Sequence, residues 1–124
     1  MTTLTRAALL AALTDLAEQT IDEPLLGGAV HIRELTAKQR QQATEAALAS
    51  DPESPDNALY RAIIVQCGVI DPATRQPLLT AEDVQTLSDG RSEAVQRVAV
   101  AILKLSEALP DATFPGNSSP NAGQ

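Results

Sequence analysis

Between Pro55 and Cys67 the apolar residues Leu59, Tyr60, Ile63, Ile64 and Cys67 recur at alternating steps of one and three. A helix brings residues with that spacing onto one side. The stretch therefore predicts a central core helix from Pro55 to about Cys67, with Ser54 as N-cap and Pro55 in the first helical position. Gly68 follows where a glycine stop is expected. A second stripe lies further along. From Arg91 to about Leu109, the residues Val95, Val98, Ile102, Leu105 and Leu109 fall at steps of three, four, three and four, a narrow a/d-like seam. Ala94, Ala101 and Ala108 lie beside it. This seam has two readings. It packs against Leu59, Ile63 and Ile64 inside the chain, the commoner use of so short a pattern, or it offers a face to a partner helix. On the second reading the candidate partner-binding residues are Val95, Val98, Ile102, Leu105 and Leu109, joined by Val30 and Ile32 on a short strand.

The rest of the chain is read around these two helices. From Leu4 to about Gln19, strong helix formers dominate. Leu9, Leu13, Leu16 and Thr20 share one face there, widened by Leu10 and Ala17, and Glu23-Pro24 is expected to end the element. Gly27-Gly28 marks a turn. Val30 and Ile32 then alternate with His31 and Arg33, the period of a half-buried strand, which needs a partner strand. Thr36 and Gln39 fit a capping box that opens a polar helix from Ala37 to about Ala49, packed lightly through its alanines. In "VIDPATRQPLLTAED", Val69 to Asp83, two short apolar patches flank an Asp71-Pro72 turn. Whether Val69-Ile70 and Leu78-Leu79 pair with each other or with Val30 and Ile32 stays open. Thr80 and Asp83 form a second cap signal before a short helix, Ala81 to about Leu87, broken at Asp89-Gly90. The expected fold is mainly α: about five helices with a short β-hairpin or minimal sheet. It forms a single domain over residues 1–109, and residues 110–124, "PDATFPGNSSPNAGQ", have the composition of a disordered, flexible tail that includes Phe114.

Composition narrows the function classes. Acids outnumber bases 16 to 9, for a net charge of −7, and the bases are spread along the chain. No basic face or aromatic platform exists for nucleic acid, and no basic cluster for an anionic membrane. Hydrophobic residues make up 44% of the chain but include one Phe, one Tyr and no Trp, so the core is helical and thin. The lone Cys67 has no intramolecular disulfide partner. The N-terminus makes a poor signal peptide and no apolar run reaches spanning length, which points to a soluble intracellular protein.

Catalytic chemistry finds no foothold. His31 is the only histidine and reads as a surface or interface residue without a positioned nucleophile. Cys67 lies on an apolar stripe and reads as a buried structural thiol. "DPESPDNALYRA", from Asp51, starts like a calcium loop, but Asp56 stands where glycine is needed and Ala62 where glutamate is needed. Gly27-Gly28 lacks the Lys-Ser or Lys-Thr of a phosphate loop. No metal or cofactor is expected and no enzyme activity.

The order of motifs carries a likeness. "VHIREL", Val30 to Leu35, leads into a Thr-capped polar helix; a core helix follows, then "GVIDPATRQPLLTAEDVQTL", Gly68 to Leu87, and a closing "AVQRVAVAILKLSEAL", Ala94 to Leu109. This order resembles the tail assembly chaperones of long-tailed bacteriophages. Those carry an early V-x-V/I-R-x-L strand, a V-x-D…G-x-P-L-F/L-T/S-x-E/D-D-V/I stretch and an alanine-rich final helix. The glycine usual in their hairpin turn is absent from "DPATRQP", and Asp71-Pro72 is expected to make the turn instead. The resemblance implies a non-enzymatic assembly factor that binds the tape-measure protein and recruits tail-tube subunits. It would act in the host cytoplasm and be absent from the mature virion. Family members are often extended by a ribosomal frameshift, for which the region after Pro110 is a natural junction. The alternative is a small acidic helical adaptor or regulator of another protein.

Overall fold

The structure, a computed structural model, describes residues 2–106. Its elements are α1 (Arg6–Thr14), β1 (Glu18–Glu23), β2 (Gly28–Arg33), α2 (Ala37–Leu48), α3 (Asn57–Gly68), α4 (Val84–Ser88) and α5 (Ser92–Ser106), with 3₁₀ turns at Pro24–Leu26 and Ala81–Asp83. Leu109, Phe114 and the expected tail lie outside the described residues. Among the described residues, the mainly α architecture of five helices with one two-stranded antiparallel hairpin agrees with the sequence reading.

The largest difference is at the start. The first helix is nine residues long and stops at Thr14, and the segment "EQTIDE" that follows is strand β1, not helix. β1 pairs with β2 from Glu18↔Arg33 to Glu23↔Gly28. Thr20 and Ile21 are β-branched and suit a pleated surface, and the ladder supplies every second backbone group with a partner that a frayed helix end lacks. Glu23 therefore ends β1 and accepts from Leu25 N–H (3.2 Å) to open the turn, and does not terminate a helix. Gly27 takes the left-handed conformation at φ 76° that completes this turn.

The core joins α2, α3 and α5 to β2. Ile32, Ala43, Ala47, Tyr60, Ile64, Val98, Ala99 and Ile102 are buried in one cluster. Ala43 and Ala47 present no bulk, so α2 lies close on α3. The largest fully buried side chains are Ile32, Ile64, Ile70 and Ile102, and each contributes about 1.5–3 kcal/mol through removal from water. Thr36 and Gln39 form the expected capping box on α2. For α3 the cap shifts by two residues: Asp56 accepts from Leu59 N–H (3.0 Å), and not Ser54. Asp56 N–H is itself held by Ala47 O (2.8 Å), which ties the helix start to the end of α2.

Gly68 is the last residue of α3 and Val69 its C-cap. Its φ is not positive, so glycine is needed here for closeness, not for a left-handed stop. The Val69–Asp83 segment answers the pairing question in both ways. Ile32 bridges to Val69, and Ile70 bridges to Pro77. Ile70 N–H donates to His31 O (3.0 Å) and Leu78 N–H to Val69 O (3.0 Å). The turn between the patches starts at Asp71, whose carboxylate accepts from Ala73 N–H (2.8 Å). The left-handed residue that glycine usually supplies falls on Arg75, at φ 61°.

Candidate functional site: a partner-binding surface

Three of the expected partner-binding residues are core. Ile32 and Ile102 are 0% exposed and Val98 is 3% exposed. Val30, Val95 and Leu105 are half-buried against the same cluster. The seam on α5 thus faces α3 and β2 inside the chain, and Leu109 lies outside the described residues. The spacing was right and its destination was the chain's own interior.

The apolar surface that a partner can reach lies elsewhere. Leu4, Leu9, Leu10 and Leu13 are 44–69% exposed, and α1 buries no residue at all. Leu26 in the hairpin turn and Leu78 in the joint are also exposed. Between these two a groove of about 580 Å³ opens, with Val30, Leu79 and Leu87 on its walls and Val65 and Val98 at its floor. The sequence holds a signal for Leu26 and Leu78. Each is a leucine beside a glycine or proline, in a turn with no periodic face to bury it. The sequence spacing sets Leu9, Leu13, Leu16 and Thr20 on one helical face, but α1 stops at Thr14, which leaves Leu16 and Thr20 outside it, and α1 buries none of its residues.

Polar groups frame the groove. His31 Nε2 lies 2.9 Å from Glu18 Oε1, and Nδ1 lies 2.8 Å from Thr20 Oγ1. A carboxylate only accepts, so Nε2 carries a proton. Arg75 pairs with the same carboxylate. The His31 hydrogen bond, helped by Arg75, holds Glu18 below the usual carboxylate range. His31 is thus a half-buried tie between strands. On the far side of the sheet, Glu23 is 3% exposed and Arg97 Nε sits 3.0 Å from both its oxygens. That bond, with the Leu25 N–H, lowers the Glu23 pKa. Cys67 is half-buried, and burial pushes its thiol pKa up, away from the reactive thiolate. Among the described residues no group of three or more His, Cys, Asp or Glu could hold a metal ion. No described helix is long and apolar enough to cross a membrane.

No protein-family model matches the chain, and no curated protein matches it. One solved structure does, that of the bacteriophage HK97 tail assembly chaperone, with a TM-score of 0.56 over 83% of this chain and 100% of that one. The chain has the fold of a phage tail assembly chaperone. Identity between the two is 14%, so what they share is backbone architecture. On this shared fold the chain exposes a bare helix, α1, and an apolar groove between Leu26 and Leu78. It offers broad apolar contact with few convergent polar groups.

Proposed function

We propose that this protein is a non-enzymatic tail assembly chaperone that binds the tape-measure protein of its phage and recruits tail-tube subunits to it in the host cytoplasm. It leaves before the virion matures. The observation that carries this reading is the shared fold, joined to apolar surface that the chain itself leaves uncovered. A tape-measure protein is a long helical chain whose apolar faces aggregate when bare. The groove between Leu26 and Leu78 takes one face of such a helix. The charge of −7 keeps the free chaperone from self-association and attracts basic segments. No nucleotide is required, because binding and release follow mass action as tube subunits polymerise.

Co-expression with the tape-measure protein tests the proposal. The tape-measure protein is expected to stay soluble and to co-purify with this chain. Two soluble proteins that never form a complex would contradict it.

A further inference from the structure

Strand β1 has an open edge. β1 and β2 are the only strands among the described residues that form a sheet. The bond from Ile70 N–H to His31 O turns His31 away from β1, so His31↔Thr20 is a pair without mutual backbone bonds. Beyond the strand ends, Glu34 N–H donates to Ala17 O (2.8 Å), which fixes the alternation. Thr20 and Asp22 therefore point their N–H and C=O groups outward. No hydrogen bond among the described residues takes up those groups. Unpaired edge groups are a template for another strand.

A groove of about 770 Å³ runs along this edge beside α5. Its middle is apolar, with Ile21, Val100 and Ala101. Its ends carry opposite charge. Arg97 is held by Glu23, but Glu93 and Lys104 carry no ion pair among the described residues. The Glu23–Arg97 bond places the start of α5 at the Glu23 end of β1. At the other end, Ser106 Oγ accepts from Leu35 N–H (2.9 Å), next to the Ala17–Glu34 pair. So α5 runs antiparallel to β1, with Glu93 at one end of the groove and Lys104 at the other.

We propose that this edge accepts an extended segment of another protein, added antiparallel to β1 as a third strand over α5. Alternate side chains of that segment face the groove: a basic one at Glu93, an apolar one over Ile21, Val100 and Ala101, and an acidic one at Lys104. A strand antiparallel to β1 starts at the Glu23 end, so the order from its amino end is basic, any, apolar, any, acidic. A second copy of β1 is a poorer occupant. It sets Gln19 where a base is called for and brings together two chains of charge −7. The site lies apart from the Leu26–Leu78 groove, so it stands whether or not that groove binds a tape-measure protein.

The test uses the full-length, isotope-labelled protein and a blocked seven-residue peptide, Thr-Lys-Thr-Val-Thr-Glu-Thr, followed by NMR. Saturable shifts of the Thr20 and Asp22 amides are expected, with slowed hydrogen exchange at both. Exchanging the Lys and Glu of the peptide is expected to weaken binding about fivefold to tenfold, as two exposed ion pairs become repulsive. The double variant Glu93→Lys/Lys104→Glu should reverse that preference, a readout that mere structural damage does not produce. N-methylating the edge-facing peptide amides should abolish binding. Absence of saturation at millimolar peptide, equal affinity for both charge orders, or shifts centred on Leu78 would overturn the proposal. So would protection of Thr20 and Asp22 in the free protein, which would mean that a second copy or the chain's own segment 107–124 already occupies the edge.

Discussion

Gly68 of α3 packs directly against the side chain of Ile102 of α5. A Cβ placed on Gly68 would lie 2.6 Å from Ile102 Cδ1, 2.7 Å from Cγ2 and 2.9 Å from Cγ1. All three distances are too short for a real contact, and Ile102 is 0% exposed, so its side chain has to be displaced within close-packed surroundings. Gly68→Ala is expected to destabilise the fold by about 1–3 kcal/mol, even though alanine favours a helix by about 1 kcal/mol over glycine. Urea unfolding checks this. In the Ile102→Val background, which trims the clashing side chain, the penalty of Gly68→Ala should shrink; equal penalties in both backgrounds would show that the contact is not the cause.

The turn after Asp71 depends on a left-handed arginine. Arg75 adopts φ 61° while pairing with Glu18 and accepting from Arg33 Nη1 at its carbonyl (3.0 Å). Replacing it by Gly, Ala or Val removes the Glu18 pair in every case, so differences among the three report backbone strain. Arg75→Gly should be more stable than Arg75→Ala by about 1 kcal/mol, with Arg75→Val the least stable. Thermal melts of the three variants decide it, and a flat series would place the left-handed residue elsewhere.

Acid should weaken the hairpin through two carboxylates. Glu18 and Glu23 both titrate below the ordinary value of 4.5 in the folded chain. Depressed folded values mean that their contribution is complete above the ordinary value and is lost as pH falls through the folded ones. The melting temperature should therefore hold steady down to about pH 5 and drop below it. Glu23→Gln should lower stability at neutral pH and flatten the acid slope. A variant whose slope matches the wild type would remove Glu23 from the account.

Burial sets Val98 and Leu13 in sharp contrast. Val98→Asp buries an unpaired charge and should cost about 3 kcal/mol or more, unfolding the domain. Leu13→Asp, on a helix that buries nothing, should change stability by less than about 0.5 kcal/mol. Circular dichroism of the two variants tests both. A folded Val98→Asp would show that α5 is an exposed face after all.

Much of this fold was legible in the sequence, and the exceptions share a cause. The capping box at Thr36–Gln39, the Thr80–Asp83 cap signal, in which the Asp83 carboxylate accepts from Thr80 N–H (2.8 Å), and the stripe through Tyr60 and Ile64 are local signals, and each forms at the residues that carry it. β1 was not legible because "EQTIDE" gains strand character only by pairing with β2 across a turn. Gly68 was read through its conformation, whereas its role is tertiary, set by Ile102 from another helix. The seam on α5 has the same period whether it faces a core or a partner. Only the packing of Val98 and Ile102 against α3 and β2 separates the two, and the surface falls to Leu26 and Leu78, which no periodicity marks.

On the proposed function, the groove between Leu26 and Leu78 holds the tape-measure protein. Titration calorimetry of the purified tape-measure segment against the wild type and against Leu26→Asp/Leu78→Asp tests it most directly. Both positions are exposed, so the double variant should stay folded. Binding to the wild type and a loss of at least about tenfold in affinity, or roughly 1.4 kcal/mol, for the variant is the expected result. Equal affinity for the two, with both folded, would contradict it.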